Sequence, residues 1–136
     1  MALISEIEVK DRIYLLLSSS EVAEAITGKI YKDDKRPANS TLEDVEISVI
    51  ASTSRQNQSF TVNVNVFVRD IRRDENDTVA NDARLRELCA VFLRVLEYSA
   101  SEGWILSLDS QRVMKVNGTD LHVINNRLNI RYNSEN

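Results

Sequence analysis

Cysteine is almost missing from this sequence. Cys89 stands alone, so no intrachain disulfide can form. It reads as a small apolar residue on a helix, because its nearest basic neighbours in sequence, Arg84, Arg86 and Arg94, look solvent-facing and would not activate a thiol. Histidine is equally scarce. His122 is the only one, and one His with one Cys cannot build the usual four-ligand zinc site. The three glycines, Gly28, Gly103 and Gly118, are scattered, so no glycine-rich phosphate cradle or dinucleotide fingerprint exists. No Gly-x-Ser-x-Gly elbow accompanies His122, which falls mid-strand near an apolar face and reads as a structural or surface residue. No apolar run approaches the roughly 18 residues needed to span a membrane. Met1 to Glu8 turns acidic too early for a signal peptide. The expected location at synthesis is therefore the cytoplasm.

What is present is enough for one domain. The chain has 136 residues, 43% hydrophobic and 28% charged, and reads as a single unit over 1–136 with a sizeable core. The formal net charge of -4 argues against general affinity for nucleic acid, which needs clustered Lys and Arg. It does not exclude a protein that encloses DNA without gripping it.

Hydrophobic spacing sets the expected elements. Val9, Ile13, Leu16 and Leu17 repeat at helical intervals, which predicts an amphipathic helix from Ser5 to Ser18. A short second helix follows to about Thr27, capped by Ser18 or Ser20, and Gly28 ends it in left-handed backbone. Lys29 to Tyr31 reads as a short strand, and Lys32 to Thr41 as a polar loop. Asp44 to Thr53 is a strand with Val45, Ile47, Val49 and Ala51 on one face. Arg55 to Gln58 is a polar hairpin turn. In Ser59 to Arg69, Phe60, Val62, Val64, Val66 and Val68 alternate strictly with mostly polar residues, which calls for one buried and one wetter face. Ile50 and Phe67 are apolar residues on the wetter side.

Asp70 to Asn76 is a charged loop. Asp77-Thr78 then offers a cap for a long helix to about Ala100, with Leu85, Leu88, Phe92, Val95, Leu96 and Ser99 inward. Strands are expected at Trp104 to Leu108, Gln111 to Val116 and Leu121 to Tyr132, with a turn at Asn117-Gly118 and a bulge at Asn125-Asn126. The fold class is α+β: a mostly antiparallel sheet of about four to five strands with two main helices on one face.

The chemistry-bearing residues do not converge on a catalytic set. The acids Asp70, Asp74, Glu75 and Asp77 lack the spacing of a calcium loop and are interleaved with Arg69, Arg72 and Arg73. Lys29, Lys32, Lys35 and Arg36 are similarly mixed with Asp33 and Asp34. No cofactor, metal or catalytic residue is assigned. What remains is surface: the polar side of Ser59 to Arg69 carries no Lys, a residue that exposed sheets use against association.

The layout resembles the tail-terminator, or tail-completion, proteins of long-tailed bacteriophages and prophages. The residues carrying the resemblance are Ile26 to Tyr31 after two helices, Pro37 before the strand Val45 to Ala51, the alternating run Phe60 to Arg69, the helix around Ala83 to Leu96, and the closing strand Arg127 to Tyr132. The chain departs from that pattern in its longer charged loop, Asp70 to Asn76, and at Trp104 to Met114. The resemblance implies a non-catalytic virion protein: a homo-oligomeric ring, usually a hexamer, at the head-proximal end of the tail tube. Its partners would be the tail-tube and head-connector proteins, with DNA passing through without specific binding and no membrane involved. Heterologous subunit contacts would come from sheet edges and loops. The candidates for them are Arg55, Gln56, Asn57 and Gln58 in one hairpin and Arg69, Arg72, Arg73 and Asp74 in one loop. Two other classes compete with this reading: a small module that binds nucleic acid or peptide on its sheet, and an enzyme built on a carboxylate pair.

Overall fold

A computed structural model describes residues 3–53 and 57–133. The elements run in the order α1 (Glu6–Ser18), α2 (Glu21–Ala25), β1 (Ile30–Lys32), β2 (Val45–Thr53), β3 (Gln58–Arg69), β4 (Ile71–Asp74), β5 (Asp77–Val79), α3 (Asp82–Leu96), β6 (Tyr98–Ser101), β7 (Trp104–Val116) and β8 (Leu121–Tyr132). The class is α+β, but with more strands than expected. Six form the main sheet, in the order β1-β2-β3-β8-β7-β6, and β4 and β5 form a separate hairpin. Every pair is antiparallel except β1 with β2.

The helices form where caps and apolar spacing agree. Ser5 caps α1 by accepting from the Glu8 amide, and Val9, Ile13 and Leu17 bury one stripe. Ser20, not Ser18, caps α2, accepting from the Val22 amide. Asn81 caps α3 through its side chain, and Leu85, Leu88, Phe92 and Leu96 point inward. The cap expected at Asp77-Thr78 is displaced because those residues pair back onto β4.

The core lies between these helices and one face of the sheet. α1 packs against β1 and β2, α3 against β7 and β8, and α2 bridges the two helices. Phe60, Val62, Val64, Val66 and Val68 are all at most 2% exposed. Burying each such side chain contributes roughly 1.5–3 kcal/mol, so β3 anchors the fold.

Four local expectations change. The long helix stops at Leu96 rather than Ala100, and Ser99 belongs to β6. The cause is the next turn: Glu102 and Gly103 have φ of 51° and 85°, which makes the two-residue hairpin turn that folds β6 onto β7. Trp104 to Val116 is one strand with a bulge between Leu108 and Ser110, not two strands. No bulge occurs at Asn125-Asn126. β8 stays in register with β3 throughout, and Asn126 remains on the core face. In β2 the irregularity lies between Val49 and Ala51, so Ile50 is the extra residue and Ala51 leaves the core face to lie opposite Thr61.

Gly28 has no positive φ. It is required for close approach: a Cβ there would lie 2.1 Å from Asp44 Oδ1 and 2.7 Å from the Glu43 carbonyl oxygen. Its amide donates to that carbonyl, and the Lys29 amide donates to Asp44 Oδ1. This seam starts the parallel β1–β2 pair. A parallel pair needs a crossover, and here residues 33–44 supply it.

Candidate interaction surface

The helices cover one face of the main sheet and leave the other open. Register defines what the open face carries. Glu46, Asn65, Asn125 and Arg112 form one row across β2, β3, β8 and β7. Ser48, Asn63, Arg127 and Ser110 form the next, followed by Thr61, Asn129 and Ser107, and then Ser59, Arg131 and Ile105. Asn125 donates to Asn65 at 2.6 Å, so the amides brace each other. Arg69 stands at the far end of this face, opposite Leu121.

Arg69, Arg112, Arg127 and Arg131 are all exposed. The arginines held in ion pairs lie elsewhere: Arg36 with Asp44, Arg73 with Asp77, Arg84 with Glu43 and Glu87, and Arg94 with Glu21. Among the described residues no carboxylate pairs with the four on the open face. Acids on or beside it among the described residues include Glu46, whose carboxyl burial pushes up, Asp34, whose charge repels it, and Asp109 in the β7 bulge.

The expected apolar spot at Phe67 is covered. The crossover 33–44 lays Arg36 over the Phe67 ring, 4.2 Å from its centroid. Arg36 also donates to the Ser40 carbonyl and meets Asp44 at 3.3 Å. Asp44 in turn accepts from the Ser40 hydroxyl at 2.5 Å. Ile50 does stay exposed, at 47%.

Both sheet edges have unpaired stretches. β1 pairs only with Val45 to Ile47 of β2, so no described strand covers Ile50 to Thr53 on that side. β6 pairs only with Trp104 to Ser107 of β7, so no described strand covers Ser110 to Val116 on that side. Val113 and Met114 in that stretch are 47% and 36% exposed.

The candidate contact residues lie at opposite ends of β3. Arg55 and Gln56 fall outside the described residues. Asn57 is exposed beside the start of the strand. Gln58 is not part of an outward turn: it opens β3, is 2% exposed, and clasps the Ile4 backbone through bonds of 2.8 and 3.1 Å. Arg72, Arg73 and Asp74 lie on β4, in a hairpin rather than a loop. Their polar groups are used within it: Arg72 donates to the Glu75 carbonyl, Arg73 pairs with Asp77, and Asp74 accepts from the Asn76 amide. The two regions stand at the two ends of the twelve-residue β3, about 36 Å apart at strand rise.

At the base of that hairpin sits a cluster the sequence did not reveal. Asp70 is nearly fully buried, accepting from His122 Nδ1 at 2.6 Å and Lys115 Nζ at 2.7 Å. Burial pushes the Asp70 carboxyl up, but the bonds from Lys115 and His122 outweigh it and hold the group below its ordinary value. An Asp–His pair can orient a general base. Among the described residues, however, no hydroxyl or thiol bonds the ring's other nitrogen. The nearest match to a reactive thiol, Cys89, is half-buried, and burial pushes its thiol up, away from the reactive thiolate.

A second internal tie holds the helical layer. Arg84 grips Glu43 with two bonds of 2.6 and 2.7 Å and also donates to the Ala25 carbonyl. Its hydrogen bonds to Glu43 push the guanidinium further up, so it stays charged. On the same layer, a cleft of about 340 Å³ opens between α1 and the β6–β7 hairpin, lined by Leu15, Leu16, Trp104, Leu106 and Ile130. Arg12 closes one side, 4.6 Å from the Trp104 ring centroid. Among the described residues no helix is long and apolar enough to cross a membrane.

No protein-family model matches this chain, and no curated protein matches it.

Proposed function

We propose that the chain is a non-catalytic assembly protein that joins head-to-tail with copies of itself into a ring, as the resemblance to phage tail terminators implies. The observation that carries this reading is the placement of the open edges. β2 and β7 run in opposite directions on opposite sides of the sheet. The open stretch of β7 on one copy can therefore pair antiparallel with the open stretch of β2 on the next, both copies facing the same way. Such a contact is heterologous and closes into a ring when its rotation divides the circle. The two stretches lie at opposite ends of the strands, so each step staggers the sheet, as closed sheets require. Val113, Met114 and Ile50 supply apolar area at the joint. The ring would sit at the end of a tail tube and present its surface to a head connector.

Light scattering over a wide concentration range, with negative-stain imaging, tests the proposal. Concentration-dependent rings are expected, and Val113→Lys should abolish them by placing a solvated charge on the joining edge. A chain that stays monomeric at every concentration would overturn it.

A further inference from the structure

We infer that the open face of the sheet is a sequence-independent contact surface for the phosphate backbone of duplex nucleic acid, carried by Arg112, Arg127 and Arg131. The inference does not depend on ring formation.

The three arginines project from adjacent strands, and among the described residues no carboxylate pairs with any of them. Arg112 lies level with Asn125, so the three span six residues of β8, about 20 Å along the strand. Over that length a duplex passes on the order of twelve charges, so each guanidinium has a phosphate within reach. Between them stand Ser107, Ser110 and Asn129, and Ser48, Thr61 and Asn63 flank them on β2 and β3, residue types that add hydrogen bonds to phosphate and sugar oxygens. The charge is therefore local. The chain is acidic overall, while this face has three central arginines, with Arg69 beyond them.

Two features favour a phosphate backbone over other anionic partners. An acidic protein would need an apolar or aromatic anchor at the centre of its footprint, and the centre here is amides and hydroxyls. Single-stranded nucleic acid would need aromatic platforms for its bases. Of the aromatics that register places on the described part of this face, Phe67 is covered by Arg36, Tyr31 stands on the edge strand β1, three strands from Arg127 and Arg131, and Tyr98 stands on the opposite edge strand β6. Arginine itself suits the task, since its planar fork matches phosphate oxygens in pairs.

Fluorescence anisotropy with a labelled mixed-sequence duplex of about 25 base pairs, titrated at several salt concentrations, provides the test. Three phosphate contacts predict a log–log salt slope near -2.7, or roughly a 40-fold loss of affinity when salt rises fourfold. Arg112→Gln, Arg127→Gln and Arg131→Gln should each reduce the slope by about one. Arg86→Gln, on the helical side, should leave it unchanged. All are exposed positions, and a matching thermal melt confirms that each variant folds. Absence of duplex binding at low salt overturns the inference. So does binding that the three variants leave intact. If the same three variants instead abolish salt-sensitive self-association while the duplex never binds, the face meets an acidic surface of a second copy and the inference is likewise overturned.

Discussion

The two faces of the main sheet are written into the same strands yet are governed by different physics. On β3 the core face is Phe60, Val62, Val64, Val66 and Val68, sealed under α1 and α3. One residue away in each case, the other face carries Ser59, Thr61, Asn63 and Asn65, all half-buried in polar company. Each face also holds residues of the wrong kind, and the clearest exception on each is compensated. Asn126 lies fully buried on the apolar side, donating to the Val64 carbonyl at 3.1 Å and accepting from Gln111 at 2.8 Å. Phe67 lies on the polar side, under the Arg36 guanidinium. An alternating strand thus tolerates a misfit when a residue from another element completes its contacts.

Exchanging chemistry between adjacent positions breaks the contrast most severely. Val62→Asn buries an amide with no partner and should destabilise the fold by roughly 3–5 kcal/mol. Its neighbour Thr61→Val should change stability by less than about 0.5 kcal/mol. Urea unfolding of the two variants side by side measures the difference directly.

Asp70→Asn is expected to have the next largest effect, about 2–3 kcal/mol at neutral pH, because it removes the charge that Lys115 and His122 bind. Its pH dependence has a definite sign. The folded carboxyl titrates below its ordinary value of 3.8, so its contribution is complete above that value and is lost as pH falls through the lowered one. The gap between wild type and Asp70→Asn should therefore begin to close only as pH falls below that ordinary value. A gap that instead widened in acid would contradict this account of the cluster.

The two compensated misfits give smaller effects. Asn126→Ala deprives Gln111 of an acceptor and leaves a small void, a loss of about 2 kcal/mol by chemical denaturation. Arg36→Ala uncovers Phe67 and removes a cation from Asp44, for about 1 kcal/mol. The second change should also raise binding of an apolar dye, since it exposes an aromatic ring on the otherwise polar face.

Some of this was legible from residue patterns. The alternation in β3 identified its buried valines correctly, and Leu85, Leu88 and Phe92 marked the inward side of α3. Other features were hidden for identifiable reasons. Tyr98 to Ser101 continued the helical pattern by composition, and only the positive φ values at Glu102 and Gly103 turned it into β6. Asn126 looked like an interruption because its partner Gln111 sits on another strand. Gln58 looked like a turn residue because nothing nearby announces that it clasps Ile4. The Asp70 cluster joins residues 45 and 52 positions apart, beyond any local pattern.

The sequence by itself determined the buried apolar stripes of β3, α1 and most of α3, because burial in a regular strand or helix follows the period of its own backbone. Tertiary structure decided which polar groups would be paired. Pairing depends on strand register, on the bulges at Ile50 and Asp109, and on the path of the crossover that carries Arg36 over Phe67. For the same reason it decided that Arg84 and Arg94 would be held by acids while Arg112, Arg127 and Arg131 would face outward with no acid partner among the described residues.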